Sequence, residues 1–216
     1  MAQRQGRTIV LNSKPGIIAN AGVVGKKEGE GPLGEEFDEV YDDTTFGQDS
    51  WEKAETELLK KTVELAITKS ALEKSEIHGI FAGDLLNQCI GSNFALRDMN
   101  IPSVGLYGAC STMALSLSMA SLAIESGGFD TCLAATCSHF CSAEKQFRYP
   151  LEYGGQRTPT AQWTVTGAGA AVLQKNKTSF SPYIDKIHIG TIQDFGISDA
   201  ANMGAAMAPV DVKIEP

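Results

Sequence analysis

Residues 99–124 carry no charged side chain, and this run constrains the fold more than any other feature. A stretch of that length either crosses a bilayer or is folded inside a protein. Its contents favour folding. Pro102, Gly105, Gly108 and five serines interrupt it. It reads as a short buried strand over 103–107, a glycine turn, and a buried helix over 113–124. That helix is apolar nearly all round through Met113, Leu115, Leu117, Met119, Leu122 and Ile124.

Cys110 sits at the turn, where the helix starts, within Gly108-Ala-Cys-Ser-Thr112. A thiol there feels the positive end of the helix dipole, which favours thiolate. Ser111 and Thr112 can satisfy open N–H groups at the same place. The arrangement is similar to the strand–nucleophile–helix elbow of serine hydrolases. A buried, inert cysteine fits the same local pattern. A nucleophile also needs a base, and the chain has three histidines. His78 and His188 fall on strands and read as structural. His139 follows a strand, near the strand ends where α/β proteins form pockets, and is the candidate pocket residue.

The rest of the chain alternates strands and helices. Residues 8–24 predict two short strands with a turn at 12–16. Residues 25–50 are acidic and read as a long loop. Residues 50–70 predict a helix capped by Ser50, with Glu52 and Glu55 in its first turn, where the dipole favours negative charge. Its apolar stripe is Ala54, Leu58, Leu59, Val63, Leu65 and Ala66. A strand over 77–82, a helix over 88–98 and a buried strand over 131–136 follow. Next come a polar, aromatic loop over 137–160 and two last strands, over 164–173 and 184–195. This order predicts an α/β fold with a mixed sheet packed against helices.

The net charge of −8 over 216 residues argues against a general nucleic-acid binder. Twelve carboxylates and one lysine, Lys53, fall within 28–57; they suit a solvated face or a docking surface for a basic partner. Five cysteines make no disulfide framework, and the first residues hold no apolar run long enough for export, so a reducing compartment is expected. Cys132, Cys137, His139 and Cys141 lack the paired C-x2-C spacing of zinc sites, and no metal is expected. Gly167-Ala-Gly169 is too short for a dinucleotide fingerprint, and no cofactor is expected. Arg148, between Phe147 and Tyr149, is the candidate anion ligand: its guanidinium can fork onto a carboxylate while a ring stacks alongside. A rim arginine fits the same pattern.

Several short motifs share one order and spacing: Gly31-Pro-Leu-Gly34, Ala82-Gly-Asp-Leu-Leu-Asn87, Gly108-Ala-Cys-Ser-Thr112, Gln146-Phe-Arg-Tyr-Pro150, Glu152-Tyr-Gly-Gly-Gln156 and Met203-Gly-Ala-Ala-Met-Ala-Pro209. Together they resemble the stage V sporulation protein AD family of spore-forming Firmicutes, within the thiolase-like superfamily. The resemblance implies one half of a two-lobed α/β fold over 1–209, with 210–216 as a non-matching tail, in a truncated product or one half of a split gene. It implies a non-catalytic sporulation protein that binds dipicolinic acid and takes part in its uptake into the developing spore. It places the protein peripherally at the spore inner membrane, without a signal peptide or membrane span, beside other stage V sporulation membrane proteins. Cys110 matches the superfamily's nucleophile position and would be vestigial. Cys110, His139 and Arg148 form the candidate ligand set. A missing second half would leave an apolar face uncovered and favour a homodimer. The alternative functions are an acyltransferase of thiolase or ketoacyl-synthase type using Cys110, and a purely structural role.

Overall fold

A computed structural model describes residues 2–147, 163–175 and 182–192, with 194, 196 and 198. The elements run β1 (Gln3–Gln5), β2 (Thr8–Val10), β3 (Gly16–Gly25), α1 (Lys26–Gly29), β4 (Glu39–Tyr41), α2 (Trp51–Ser70), β5 (Gly79–Gly83), α3 (Ile90–Leu96), β6 (Ser103–Gly105), α4 (Thr112–Glu125), β7 (Thr131–Ser138), α5 (Phe140–Phe147), β8 (Gly167–Gln174) and β9 (Lys186–His188). Six strands form a mixed sheet in the order β4-β3-β8-β7-β5-β6. β3 pairs antiparallel with β8, and β8 antiparallel with β7; the remaining pairings are parallel. A small second sheet joins β1, β2 and β9 antiparallel, with Ile9 opposite Ile187.

Successive side chains of a strand point to opposite faces, so a strand buried on both sides feeds two cores. On β7, Leu133, Ala135 and Cys137 join the core beneath α2, whereas Cys132 and Ala134 join the core beneath α4. On β5, Ile80 and Ala82 face α2 and Phe81 faces α4. The α2 stripe is fully buried at Ala54, Leu58, Leu59, Val63 and Ala66. Each of the larger side chains there contributes on the order of 1.5–3 kcal/mol by leaving water. Ser50 caps α2 as its spacing predicts, its hydroxyl accepting from Lys53 N at 3.3 Å.

Several expectations need correction. The strand at 103–107 is a three-residue edge strand, exposed throughout, because it has a neighbour only in β5. The following helix is buried on one face only, at Thr112, Ser116, Ala120, Ser121 and Ile124. Met113, Leu117 and Met119 are half-buried against the core, because no second layer lies over α4 among the described residues. The supposed loop over 137–160 begins with the end of β7 and with α5. The acidic loop carries α1 and β4, and β4 extends the main sheet at its other edge. The final strand is short and belongs to the small sheet. Among the described residues, no helix is long and apolar enough to cross a membrane.

Candidate functional site

The site is built where β5, β6 and β7 end and α4 begins. Leu106 N donates to Ala82 O at 2.8 Å, drawing the chain after β6 across the end of β5. That crossing requires Gly83, because a Cβ there would sit 1.8 Å from Leu106 O. The turn then tightens. Ala109 takes a left-handed φ of 46°, a strained choice for a residue with a side chain, directly before Cys110. Thr112 closes the turn: its hydroxyl donates to Ala109 O at 2.7 Å and accepts from Gly108 N at 3.2 Å. Ser111 donates to Gly108 O rather than capping an N–H. The N-terminus of α4 therefore carries no side-chain cap: the Ser111 amide donates to Gly108 O and the Thr112 amide to Ala109 O, within the turn that holds Cys110.

Cys110 is exposed and lines an open, mainly apolar cavity of about 770 Å³. Leu85, Met113, Cys137 and Trp163 also line it. Trp163 stacks on Phe140, with ring centroids 4.6 Å apart, and the Lys27 ammonium lies 3.5 Å from the Trp163 centroid. Trp163 is thus the lining ring, held between Phe140 and a cation that stands behind the wall rather than in it.

The five cysteines divide sharply. Burial pushes the Cys132 thiol up to about 12. It also raises the Cys89 and Cys141 thiols, and raises Cys137 well above the usual range. These four are held as thiols, whereas Cys110 meets solvent at a helix head. Cys132 and Cys137 lie in the cores on opposite sides of the sheet, so the sulfur atoms of β7 do not converge.

His139 is buried and does not line the cavity. Its Nε2 is 2.8 Å from Thr44 O, and its Nδ1 accepts from Cys141 N at 3.1 Å. Burial lowers its pKa, so the ring is neutral, packed 5.2 Å from the Trp51 ring, centroid to centroid. Both ring nitrogens serve the fold. Arg148 lies outside the described residues. His78 and His188 are structural: His78 Nδ1 accepts from Asp130 N and Thr131 N, and His188 Nδ1 bonds the Thr8 hydroxyl.

Beneath the cavity lies a polar knot. Asp84, directly after β5, accepts from Leu86 N at 2.8 Å and from Ser92 N and Oγ at 2.7 Å each. Glu55 of α2 accepts from Ser142 Oγ at 2.5 Å and from the Cys137 thiol at 3.6 Å. Both carboxylates are buried. Burial raises Glu55 to about 7, and the Asp84 charge adds to the rise. Lys27, Trp163, Asp84 and Glu55 were not read as site residues from sequence. For Glu55 a signal existed: it shares the apolar stripe with Leu58, Leu59 and Thr62, an unfavourable place for a solvated acid.

A mixed sheet with helices on both faces, and a cysteine where an edge strand hands over to a helix, make a thiolase-like fold. Solved structures with that fold overlay on it. 3-Oxoacyl-acyl-carrier-protein synthase III from Aquifex aeolicus matches with TM-score 0.53 and 14% identity, over 76% of this chain and 55% of that one. OleA from Xanthomonas campestris matches with TM-score 0.51 and 13% identity, over 77% of this chain and 57% of that one. At such identities the likeness concerns the fold. The chain belongs to the stage V sporulation protein AD family, whose model matches residues 5–214. Stage V sporulation protein AD of Bacillus subtilis is 44% identical over 205 residues, 94% of this chain. The chain spans 60% of that relative's length.

Proposed function

We propose that the chain serves in sporulation as a dipicolinate-binding component of dipicolinate uptake, without catalysis. The observation that carries this reading is the Cys110 cavity, an apolar hollow walled in part by Trp163, with the Lys27 ammonium over the Trp163 ring. A flat aromatic dianion suits that chemistry. Its ring packs against an apolar wall, and its carboxylates seek a nearby cation. Arg148, which follows α5 in sequence, supplies the second cation in this reading. His139 acts through the fold, holding the Thr44 loop against the start of α5. The family's name supports the sporulation setting. Membrane-embedded stage V sporulation proteins and a second copy of the chain are the partners the reading implies, at the spore inner membrane.

Calorimetric titration of dipicolinate tests it. The wild-type chain binds, and K27A and R148A each weaken binding by about tenfold or more. Equal binding by R148A and wild type removes Arg148 from the site, and no binding by wild type overturns the reading.

One observation favours a second reading, acyl transfer of thiolase type: Cys110 is the one exposed cysteine, at a helix head on an apolar hollow. Mass spectrometry after incubation with an acyl-CoA decides. An acyl adduct on Cys110, lost in C110S, supports transfer; its absence removes it.

A further inference from the structure

The Glu55–Asp84 knot lies one step from the cavity yet touches no part of its open surface. Five elements meet there: α2 through Glu55, the end of β5 through Asp84, α3 through Ser92, β7 through Cys137 and α5 through Ser142. Gly91 separates the two acids. A Cβ on Gly91 would lie 3.4 Å from the Asp84 carboxyl carbon and 3.5 Å from that of Glu55, so the two carboxyl groups are within about 7 Å. Among the described residues, no lysine, arginine or histidine bonds either acid. The other titratable groups facing the pair are acidic or neutral: the Cys137 and Cys89 thiols, and Glu52, whose charge Lys145 holds at 2.9 Å on the outer side.

A carboxylate this close, in a buried site without a cation, disfavours ionisation of Glu55. The two acids differ in their hydrogen-bond donors. Asp84 receives three donors, two of them backbone N–H groups, one from the first turn of α3. Glu55 receives one hydroxyl and one thiol, a weaker donor. We propose that Glu55 is a protonated positioning residue for the cavity, and that loss of its proton loosens the two pieces of cavity wall the knot holds. Those pieces are Cys137, bonded to Glu55 itself, and Leu85, on the short turn that Asp84 closes onto Leu86. Ionised Glu55 would face Asp84 across Gly91, and the relief of that repulsion is movement of the 84–92 segment away from α2. The segment is poised for it, since Gln88 and Cys89 both hold left-handed φ values, 60° and 52°. The cavity floor is thereby firm in mildly acidic solution and loose in mildly alkaline solution.

This inference goes beyond the binding reading, and its test uses no dipicolinate. Infrared difference spectra of the full chain between pH 6 and pH 8 report un-ionised carboxylic acid directly. The wild type shows a carboxylic C=O band that disappears on passing about pH 7, and E55Q lacks it. In D84N the same band disappears at least one pH unit lower, because the repelling charge is gone; this variant serves if E55Q does not fold. Hydrogen exchange supplies the positioning readout. Protection of the Leu86 and Ser92 amides, corrected for intrinsic exchange, falls by about tenfold between pH 6 and pH 8 in the wild type and not in E55Q. No carboxylic band in the wild type, an unchanged band in E55Q, an unmoved midpoint in D84N, or amide protection independent of pH would each overturn the proposal.

Discussion

The two faces of the main sheet are finished to different degrees. Beneath α2, a stripe from Ala54 to Ile67 packs to completion on β3, β8 and β7. Beneath α4, the buried positions are mostly small or polar: Thr112, Ser116, Ala120 and Ser121. The larger side chains Met113, Leu117 and Met119 stay half in water. One face therefore acts as scaffold and the other as working surface. The cavity and its exposed thiol lie at the head of α4, the helix that no other described residues cover. The acids that brace the cavity come from the covered side, where low dielectric gives a single proton leverage.

Substitutions on the two faces should differ most. Leu58→Ala on α2 costs about 3–4 kcal/mol of unfolding free energy, whereas Leu117→Ala on α4 costs about 1 kcal/mol; chemical denaturation measures both. Equal losses would erase the distinction. Next in size is a pH effect confined to the α2 side. Glu55 has a folded value of about 7 against an ordinary 4.5, so the folded chain binds the extra proton. Its contribution is complete below about 4.5 and is lost as pH rises through 7, for a total of about 3 kcal/mol. Denaturation curves at pH 5 and pH 8 show that loss in the wild type and not in E55Q.

A third contrast is chemical. In the native protein iodoacetamide labels Cys110 about a hundredfold faster than Cys132 or Cys137, and the difference vanishes in denaturant. Peptide mass spectrometry reads it, and uniform native labelling would make the α2 side as open as the α4 side. The smallest effect is Ser50→Ala, which removes the cap of α2 and costs about 1 kcal/mol by thermal unfolding, without changing Cys110 labelling.

Much of this was legible in the chain. The α2 stripe, its Ser50 cap, the strand at 131–136 and the strand–turn–helix unit around Cys110 follow from periodicity and turn chemistry, which are local properties. The exposure of β6 was not legible. An uncharged strand looks buried, and only the sheet order puts 103–105 on an edge. His139 was read as a pocket residue because it follows a strand. Its ring turns instead to Thr44, a partner 95 residues away in sequence.

The amino-acid order alone determined α2, α4 and the buried strands β5 and β7, where the thiol meets a helix, and that both sides of the sheet seek cover, because these depend on neighbours within a few residues; α1, β4 and α5 lie in segments that read as loops. Tertiary structure decided which thiol faces solvent, which acids share one buried pocket, and which histidine nitrogens are already taken. Burial and charge separation are set by what distant segments bring together, and a residue's ionisation follows from that surrounding rather than from its place in the chain.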